Sequence, residues 1–328
     1  MRLHEDKKLF RQAVEFTAQQ LNIPAIYVEK DYWVTYALHT IFHHEVGQET
    51  VFKGGTALSK CFNLIERFSE DIDLVVLRGE GETDAQMKKK IKIVGKAVEK
   101  VMPEKQVDDI TVKMGMNRKT AHTYSREFSG SYGQVRDVII VEATWLGYYE
   151  PYTTKSISSF IYTMMKERGQ EAMAEENDLL PFDVRVLEPK RTFCEKIMSL
   201  VRFSYGDDSI NDLRRKIRHT YDLHQLLKDA HLKDFFGSED FDKMLIKVAN
   251  DDVASYKNNN AWLANHPNES AIFSDVDKIW SKIKTTYIGE FRNLVYGELP
   301  EEADVLRTLH RIKARMDQVV WNIELKNS

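Results

Sequence analysis

The stretch that decides the fold reads Lys53-Gly-Gly-Thr-Ala-Leu-Ser59, followed by Arg67-Phe-Ser-Glu-Asp71-Ile-Asp73-Leu74. Val51 and Phe52, just ahead of it, form a short apolar run with the character of a strand. Paired glycines between a strand and a helix let the backbone come close to a ligand. The helix expected over 56–66 presents free N–H groups and its positive dipole end, which suits a phosphate. Thr56 and Ser59 add hydroxyls at that turn, and Arg67 and Ser69 stand just ahead of the next strand. That strand is expected over 71–77, with Asp71, Asp73 and Val75 on one face and Ile72, Leu74 and Val76 on the other.

Two carboxylates side by side make a poor core and a good site for hard divalent cations. Magnesium, or manganese in its place, prefers carboxylates together with substrate phosphate. Two such ions can activate an attacking hydroxyl and stabilise a leaving pyrophosphate. Sites of this kind often have a third carboxylate. Glu142 is the best candidate: it ends the apolar run Val138-Ile-Ile-Val141 and shares a face with Ile140 and Val138, where a charge is otherwise anomalous. Each piece alone has a plainer reading, a turn for Gly-Gly and a solvated face for Asp-x-Asp. The combination, in this order, is harder to assign to chance.

Working outward, helical spacing covers residues 6–20 and again about 27–42, where Tyr32, Trp33, Tyr36, Ala37 and Phe42 make an apolar stripe. A lysine-rich amphipathic helix is expected over 84–101, and 108–145 reads as β-rich. A mixed segment leads to a short strand over 182–187. From Arg191 onward the pattern is helical, broken by polar loops near 206–212 and 257–270. The expected fold is α+β: a small mixed sheet flanked by N-terminal helices, then a helical C-terminal domain. The expected boundary divides residues 1–190 from 191–328.

With 328 residues, 42% hydrophobic and 30% charged, the chain can bury a sizeable core. Its net charge of −4 excludes a surface coated in basic charge but leaves room for a local basic groove. Two cysteines, Cys61 and Cys194, form no C-x-x-C pair and read as buried small hydrophobes in a reducing cytoplasm. No stretch has the length of an apolar membrane span. A monomer is the default expectation.

The string from Gly54 to Leu74 resembles the first motif of the AbiEii/AbiGii toxin family of nucleotidyltransferases, within the DNA polymerase β-like superfamily. Three further motifs follow in order. Ile139-Ile-Val-Glu142 is similar to the second, with Glu142 its acidic member. Arg191-Thr-Phe-Cys-Glu-Lys196 with Ile197 to Arg202 is similar to the third, and Arg218-His-Thr-Tyr-Asp222-Leu to the fourth. Val28-Glu-Lys-Asp-Tyr-Trp33 also matches a common family segment. The resemblance spans about residues 25–228.

It implies a core in which Asp71, Asp73 and Glu142 hold the metal and Gly54, Gly55, Thr56, Ser59, Arg67 and Ser69 cradle a nucleoside triphosphate. Asp71, Asp73, Lys196 and Asp222 would form the catalytic set. Lys196 would touch the triphosphate, sitting off the buried stripe of Phe193, Ile197, Leu200 and Val201. Asp222 would orient it or touch the nucleotide, which would then lie in the cleft between the two halves. Relatives act as toxins in toxin–antitoxin and phage-defence systems, and some modify tRNA 3′ ends. The implied partners are therefore a tRNA or other RNA acceptor and an antitoxin encoded nearby. A phosphate added at Ser69 would repel the incoming triphosphate. Candidate RNA contacts are Lys88-Lys89-Lys90 with Lys92 and Lys96, Arg214-Arg215-Lys216 with Arg218, and the aromatics Tyr148, Tyr149, Tyr152 and Trp262. Two alternatives keep a place: nucleotidylation of a small molecule or a protein, and a fold that binds nucleotide without turnover.

Overall fold

The computed structural model describes residues 1–108, 110–113, 115–130, 136–145, 150–255 and 259–325. Tyr148, Tyr149 and Lys257 lie outside them. The chain divides into two compact units. The first comprises Met1–Asn63 and Arg67–Leu187; the second comprises Leu64–Glu66 and everything from Glu188.

The first unit opens with α1 (Lys7–Leu21), capped by Asp6, whose carboxylate accepts from the Leu9 N–H at 3.0 Å. It stops at Asn22, in the left-handed conformation that asparagine tolerates. Then come α2 (Ala25–Phe42), β1 (Thr50–Lys53), α3 (Gly54–Phe62) and β2 (Ile72–Val76). The remainder is α4 (Asp84–Glu99), β3 (Glu104–Lys105), β4 (Asn117–His122), β5 (Ile139–Thr144), β6 (Tyr152–Ile157), α5 (Phe160–Glu167), α6 (Glu171–Glu176) and β7 (Phe182–Leu187). Thr83 and Gln86 form a capping box that starts α4 where the lysine-rich pattern begins. β6, α5 and α6 occupy the segment that read only as mixed.

Seven strands make one mixed sheet in the order β3-β4-β5-β2-β1-β7-β6. Alternation sorts its faces. Phe52, Ile72, Leu74, Val76, Ile139, Val141 and Ala143 enter the main core with α1, α2 and α4. Lys53, Asp73, Ile140 and Glu142 therefore project from the opposite face.

The helix α2 is buried on nearly all sides, including Glu29, Lys30 and Asp31. An apolar stripe describes a helix with one wet face, and this one has almost none. The three consecutive charges survive burial because each finds partners. Glu29 accepts from the Glu127 and Phe128 N–H groups at 2.6 and 3.3 Å. Lys30 pairs with Glu70 at 2.6 Å and donates to the Arg136 carbonyl. Asp31 takes the Lys60 ammonium at 2.6 Å and the Phe160 N–H that starts α5 at 2.8 Å.

The second unit is helical: α7 (Pro189–Phe203), α8 (Ser209–Arg215), α9 (Ile217–Leu226), α10 (Ala230–Phe236), α11 (Glu239–Ser255), α12 (Ala271–Ser274), α13 (Val276–Ile288) and α14 (Glu302–Met316). The polar stretch expected as a loop near 206–212 is helical from Ser209. Leu64–Glu66 belongs here through its backbone. The Glu66 N–H donates to the Tyr221 hydroxyl at 3.2 Å, and the Glu66 carbonyl accepts from Tyr296 and Gly297. Among the described residues no helix is long and apolar enough to cross a membrane.

Candidate active site

Strand register builds the charged face of the first unit. Lys53 on β1 stands opposite Asp73 on β2, Asp73 opposite Glu142 on β5, and Glu142 opposite Lys119 on β4. Four charged side chains thus form a row across four adjacent strands, signed plus, minus, minus, plus. Asp71 lies one residue before β2, not within it, and adds a third carboxylate at the end of the row.

The carboxylates differ in state. Burial pushes the Asp73 carboxyl up to about 7, helped by the charges of Glu142 and Asp71 and opposed by Lys53 and Lys119. Desolvation also raises Glu142, but the Lys119 ammonium at 3.0 Å and the Asn117 amide at 2.8 Å outweigh it. They hold that carboxyl below the ordinary glutamate range. Asp71 Oδ1 is buried with no hydrogen-bond partner; the Arg136 guanidinium stands 3.6 Å from it.

The glycine turn is shaped by what lies beneath it. Gly54 has φ +84°, and a Cβ there would meet Asp73 Oδ2 at 2.3 Å. A Cβ on Gly55 would meet Arg67 Nη2 at 2.8 Å and Ser69 Oγ at 3.0 Å. Arg67 is 1% exposed and donates to the Phe68 carbonyl at 3.1 Å, so it reaches the turn from inside the fold. Thr56 is also buried. Its hydroxyl donates to the Asp71 carbonyl at 2.6 Å and lies 3.0 Å from Ser69 Oγ. Thr56 was expected to offer that hydroxyl to a phosphate. Its proton goes instead to the Asp71 carbonyl, with Ser69 Oγ alongside. Ser59 lies half-buried one turn further along α3.

In the second unit, Lys196 on α7 donates to Asp222 on α9 at 2.6 Å. Lys196 is 4% exposed and Asp222 is fully buried. This corrects the expectation that Lys196 sits off the buried stripe: the partner makes its burial tolerable. His219, one turn before Asp222, is held neutral by desolvation and then by the charges of Lys196 and Lys216, and its Nδ1 is buried without a partner. Arg191 is buried too, tied to Glu195 and Asp251.

The residues singled out from sequence therefore fall into two groups. Gly54, Gly55, Thr56, Arg67, Ser69, Asp71, Asp73 and Glu142 gather in the first unit, and Lys196 with Asp222 in the second. The reading missed Lys53, Lys119 and Arg136. Only the pairing of strands distant in sequence brings Lys53 and Lys119 to the carboxylates. Of the RNA-contact candidates, Trp262 is 6% exposed and donates its indole N–H to the Asn259 carbonyl, so it offers no stacking face. Lys90 is taken by Glu49 and Glu82. Lys88, Lys89 and Lys92 are exposed. Cys194 is buried and Cys61 partly so.

Among the described residues, no group of three histidine, cysteine, aspartate or glutamate side chains is placed to hold a metal ion. The donor set nonetheless fits a hard cation. Asp71 Oδ1 is an orphaned buried acceptor, and Asp73 is a carboxyl whose ionisation its neighbours oppose and a dication would favour.

A sheet with paired carboxylates beside a glycine turn at a helix N-terminus suits an enzyme that handles a phosphate-bearing substrate. The family model described as nucleotidyl transferase AbiEii toxin, type IV toxin–antitoxin system, matches residues 36–303. The chain belongs to that family, the nucleotidyltransferase toxins of type IV toxin–antitoxin systems. No curated protein matches it. Among solved structures, MenT4, a nucleotidyltransferase toxin from Mycobacterium tuberculosis H37Rv, is similar with TM-score 0.45 and 15% identity, over 91% of this chain and 98% of that one.

Proposed function

We propose that this toxin moves a nucleoside monophosphate from a nucleoside triphosphate to an RNA acceptor, with tRNA foremost, in a cytoplasmic toxin–antitoxin or phage-defence system. The observation that carries the reading is the register of β2 and β5. It sets Asp73 against Glu142 beside the orphaned Asp71 Oδ1, all next to the Gly54–Gly55 turn.

Asp71 and Asp73 are the residues to hold magnesium or manganese, with Glu142 as a third carboxylate once Lys119 yields. Two such ions supply Lewis acidity toward the phosphates and lower the pKa of an attacking hydroxyl. The protein's own part is positional. Gly54 and Gly55 keep side chains out of the triphosphate's path, and the N-terminus of α3 faces it with free N–H groups. Arg67 and Ser69 line the floor of the turn, and Thr56 fixes the Asp71 backbone. In the helical unit, Lys196, oriented by Asp222, is the cation proposed for the polyphosphate.

The test is incubation with each labelled nucleoside triphosphate, magnesium or manganese, and total tRNA. Label is expected on RNA, lost in Asp71→Ala while the melting temperature holds. Absence of label with all four nucleotides defeats the reading. Label on a small metabolite or a protein band moves the acceptor out of RNA.

A further inference from the structure

Beside the carboxylates, on the same face of the sheet, lies a second feature that the catalytic assignment does not use. Ala121, Val138 and Ile140 form a small apolar cluster apart from the main core, with Val107 and Ile110 packed against it. Ala121 pairs with Ile140 in the register in which Lys119 pairs with Glu142, so the apolar patch continues the charged row along β4 and β5. Over it opens a cavity of about 560 Å³, lined by the cations Lys105 and Arg136, the carboxylates Asp108 and Asp137, and the apolar side chains of Val107, Ile110 and Val138.

Arg136 joins the two features. It lines the cavity, and its guanidinium stands 3.6 Å from Asp71 Oδ1. Its backbone is fixed on both sides of the peptide: the N–H donates to Glu70 Oε1 at 3.0 Å and the carbonyl accepts from buried Lys30. A surface arginine rarely has its main chain tied down by a buried ion pair, and here the tie sets where the side chain starts.

The sheet order says which ligand belongs there. The glycine turn follows β1, the carboxylates stand just before and on β2 and on β5, and the cavity is lined from Lys105 on β3 and from Arg136 to Val138 just ahead of β5. Donor phosphates at the turn and the cavity are thus on opposite flanks of the carboxylates. Nucleotidyl transfer is an in-line displacement, so the attacking group enters opposite the leaving pyrophosphate. We infer that the cavity is the acceptor subsite and takes the terminal nucleoside of a single-stranded RNA. The base lies on the Val107–Ile110–Val138 floor, and Lys105 and Arg136 receive the phosphodiester.

The step balances. A terminal ribose hydroxyl oxygen forms a bond to the α-phosphorus, and the bond from that phosphorus to the bridging oxygen breaks. Pyrophosphate leaves with the electron pair, and the hydroxyl proton passes to water.

The inference rests on the proposed RNA acceptor, and two measurements separate their fates. In the labelling assay, Val107→Glu is expected to raise KM for total tRNA about tenfold or more, because it puts a charge where a base would stack. KM for the nucleoside triphosphate stays near wild type, while the melting temperature falls somewhat because Val107 packs on the apolar cluster. Lys105→Glu, on an exposed position that cannot disturb the core, is expected to raise KM for tRNA and flatten its salt dependence, because one phosphate contact is lost. A rise in the nucleotide's KM alone would make the cavity the donor-base site and overturn the inference, as would no change in either. If the wild type labels nothing, the parent reading falls. Binding of a fluorescent single-stranded oligoribonucleotide then decides the cavity by itself: equal affinity in wild type and Val107→Glu overturns it, and a weakened variant upholds it.

Discussion

The Lys196 ammonium donates to the Asp222 carboxylate across 2.6 Å, in a place where neither side chain meets bulk solvent. Truncating one partner strands the other as a buried charge, which costs about 3–5 kcal/mol. Lys196→Met and Asp222→Leu are each expected to lower stability by that order in urea unfolding. The double variant recovers most of it, because two apolar groups replace the pair, yet it stays inactive in the labelling assay. Single variants as stable as wild type would show the pair contributes nothing to the fold. An active double variant would remove both residues from the site.

The turn at Gly54 tolerates no side chain. A methyl there meets Asp73 Oδ2 at 2.3 Å on a backbone with φ +84°. Gly54→Ala is expected to cost about 1–2 kcal/mol of stability from the backbone conformation. Its effect on kcat should be larger, about tenfold or more, because Asp73 must move. Gly55→Ala meets the tip of Arg67 instead, and its loss should appear mainly in KM for the nucleotide. Steady-state kinetics of the two variants checks this, and identical kinetic profiles would contradict it.

Thr56 tests whether a buried hydroxyl matters through position alone. Thr56→Val keeps the shape and removes the hydrogen bond to the Asp71 carbonyl. The expected loss is about 1–3 kcal/mol of stability, from a buried acceptor left unpaired. Activity should fall as well. Thr56→Ser restores the hydroxyl and should recover most of kcat. Failure of serine to rescue would point to the methyl group, not the hydroxyl, as the part that matters.

Glu29 gives a pH signature. Burial raises its carboxyl from the ordinary value to about 7, against the pull of two backbone N–H donors. Between about pH 4.5 and 7 the unfolded chain has released this proton and the folded chain retains it. Glu29 therefore makes stability fall as pH rises through that window, by up to about 1.4 kcal/mol per unit, and its contribution is flat above. In Glu29→Gln the slope should be shallower by that amount, seen as a difference between two urea-denaturation series. Parallel series would refute the assignment.

These residues also mark how far a linear reading reaches. The carboxylates were legible because Asp71 and Asp73 stand two apart at the start of a strand and Glu142 breaks an apolar run. The glycine turn was legible because Gly-Gly falls between a strand and a helix and just ahead of the carboxylates. Lys53 and Lys119 were not, since they reach the carboxylates only through pairings between strands far apart in the chain. The burial of Glu29, Lys30 and Asp31 was not legible, because nothing local says that α2 is enclosed and that each charge meets a partner some 29 to 129 residues away. Lys196 was misplaced for a related reason: helical periodicity sorts apolar from charged, and a buried ion pair violates that sorting.

The row across β1, β2, β5 and β4 has one more consequence, visible when its charges are added. Lys53, Lys119 and Arg136 against Asp71, Asp73 and Glu142 sum to zero formal charge. A divalent cation entering by itself leaves a surplus of two positive charges, and a polyphosphate entering by itself leaves a surplus of negative ones. Two divalent cations together with a fully ionised triphosphate restore neutrality, so metal and nucleotide should load as one unit, each strengthening the other by the same factor. Calorimetric titration of magnesium with and without a non-hydrolysable nucleoside triphosphate reads that coupling, and equal affinities would show that the balance of the row does not govern loading.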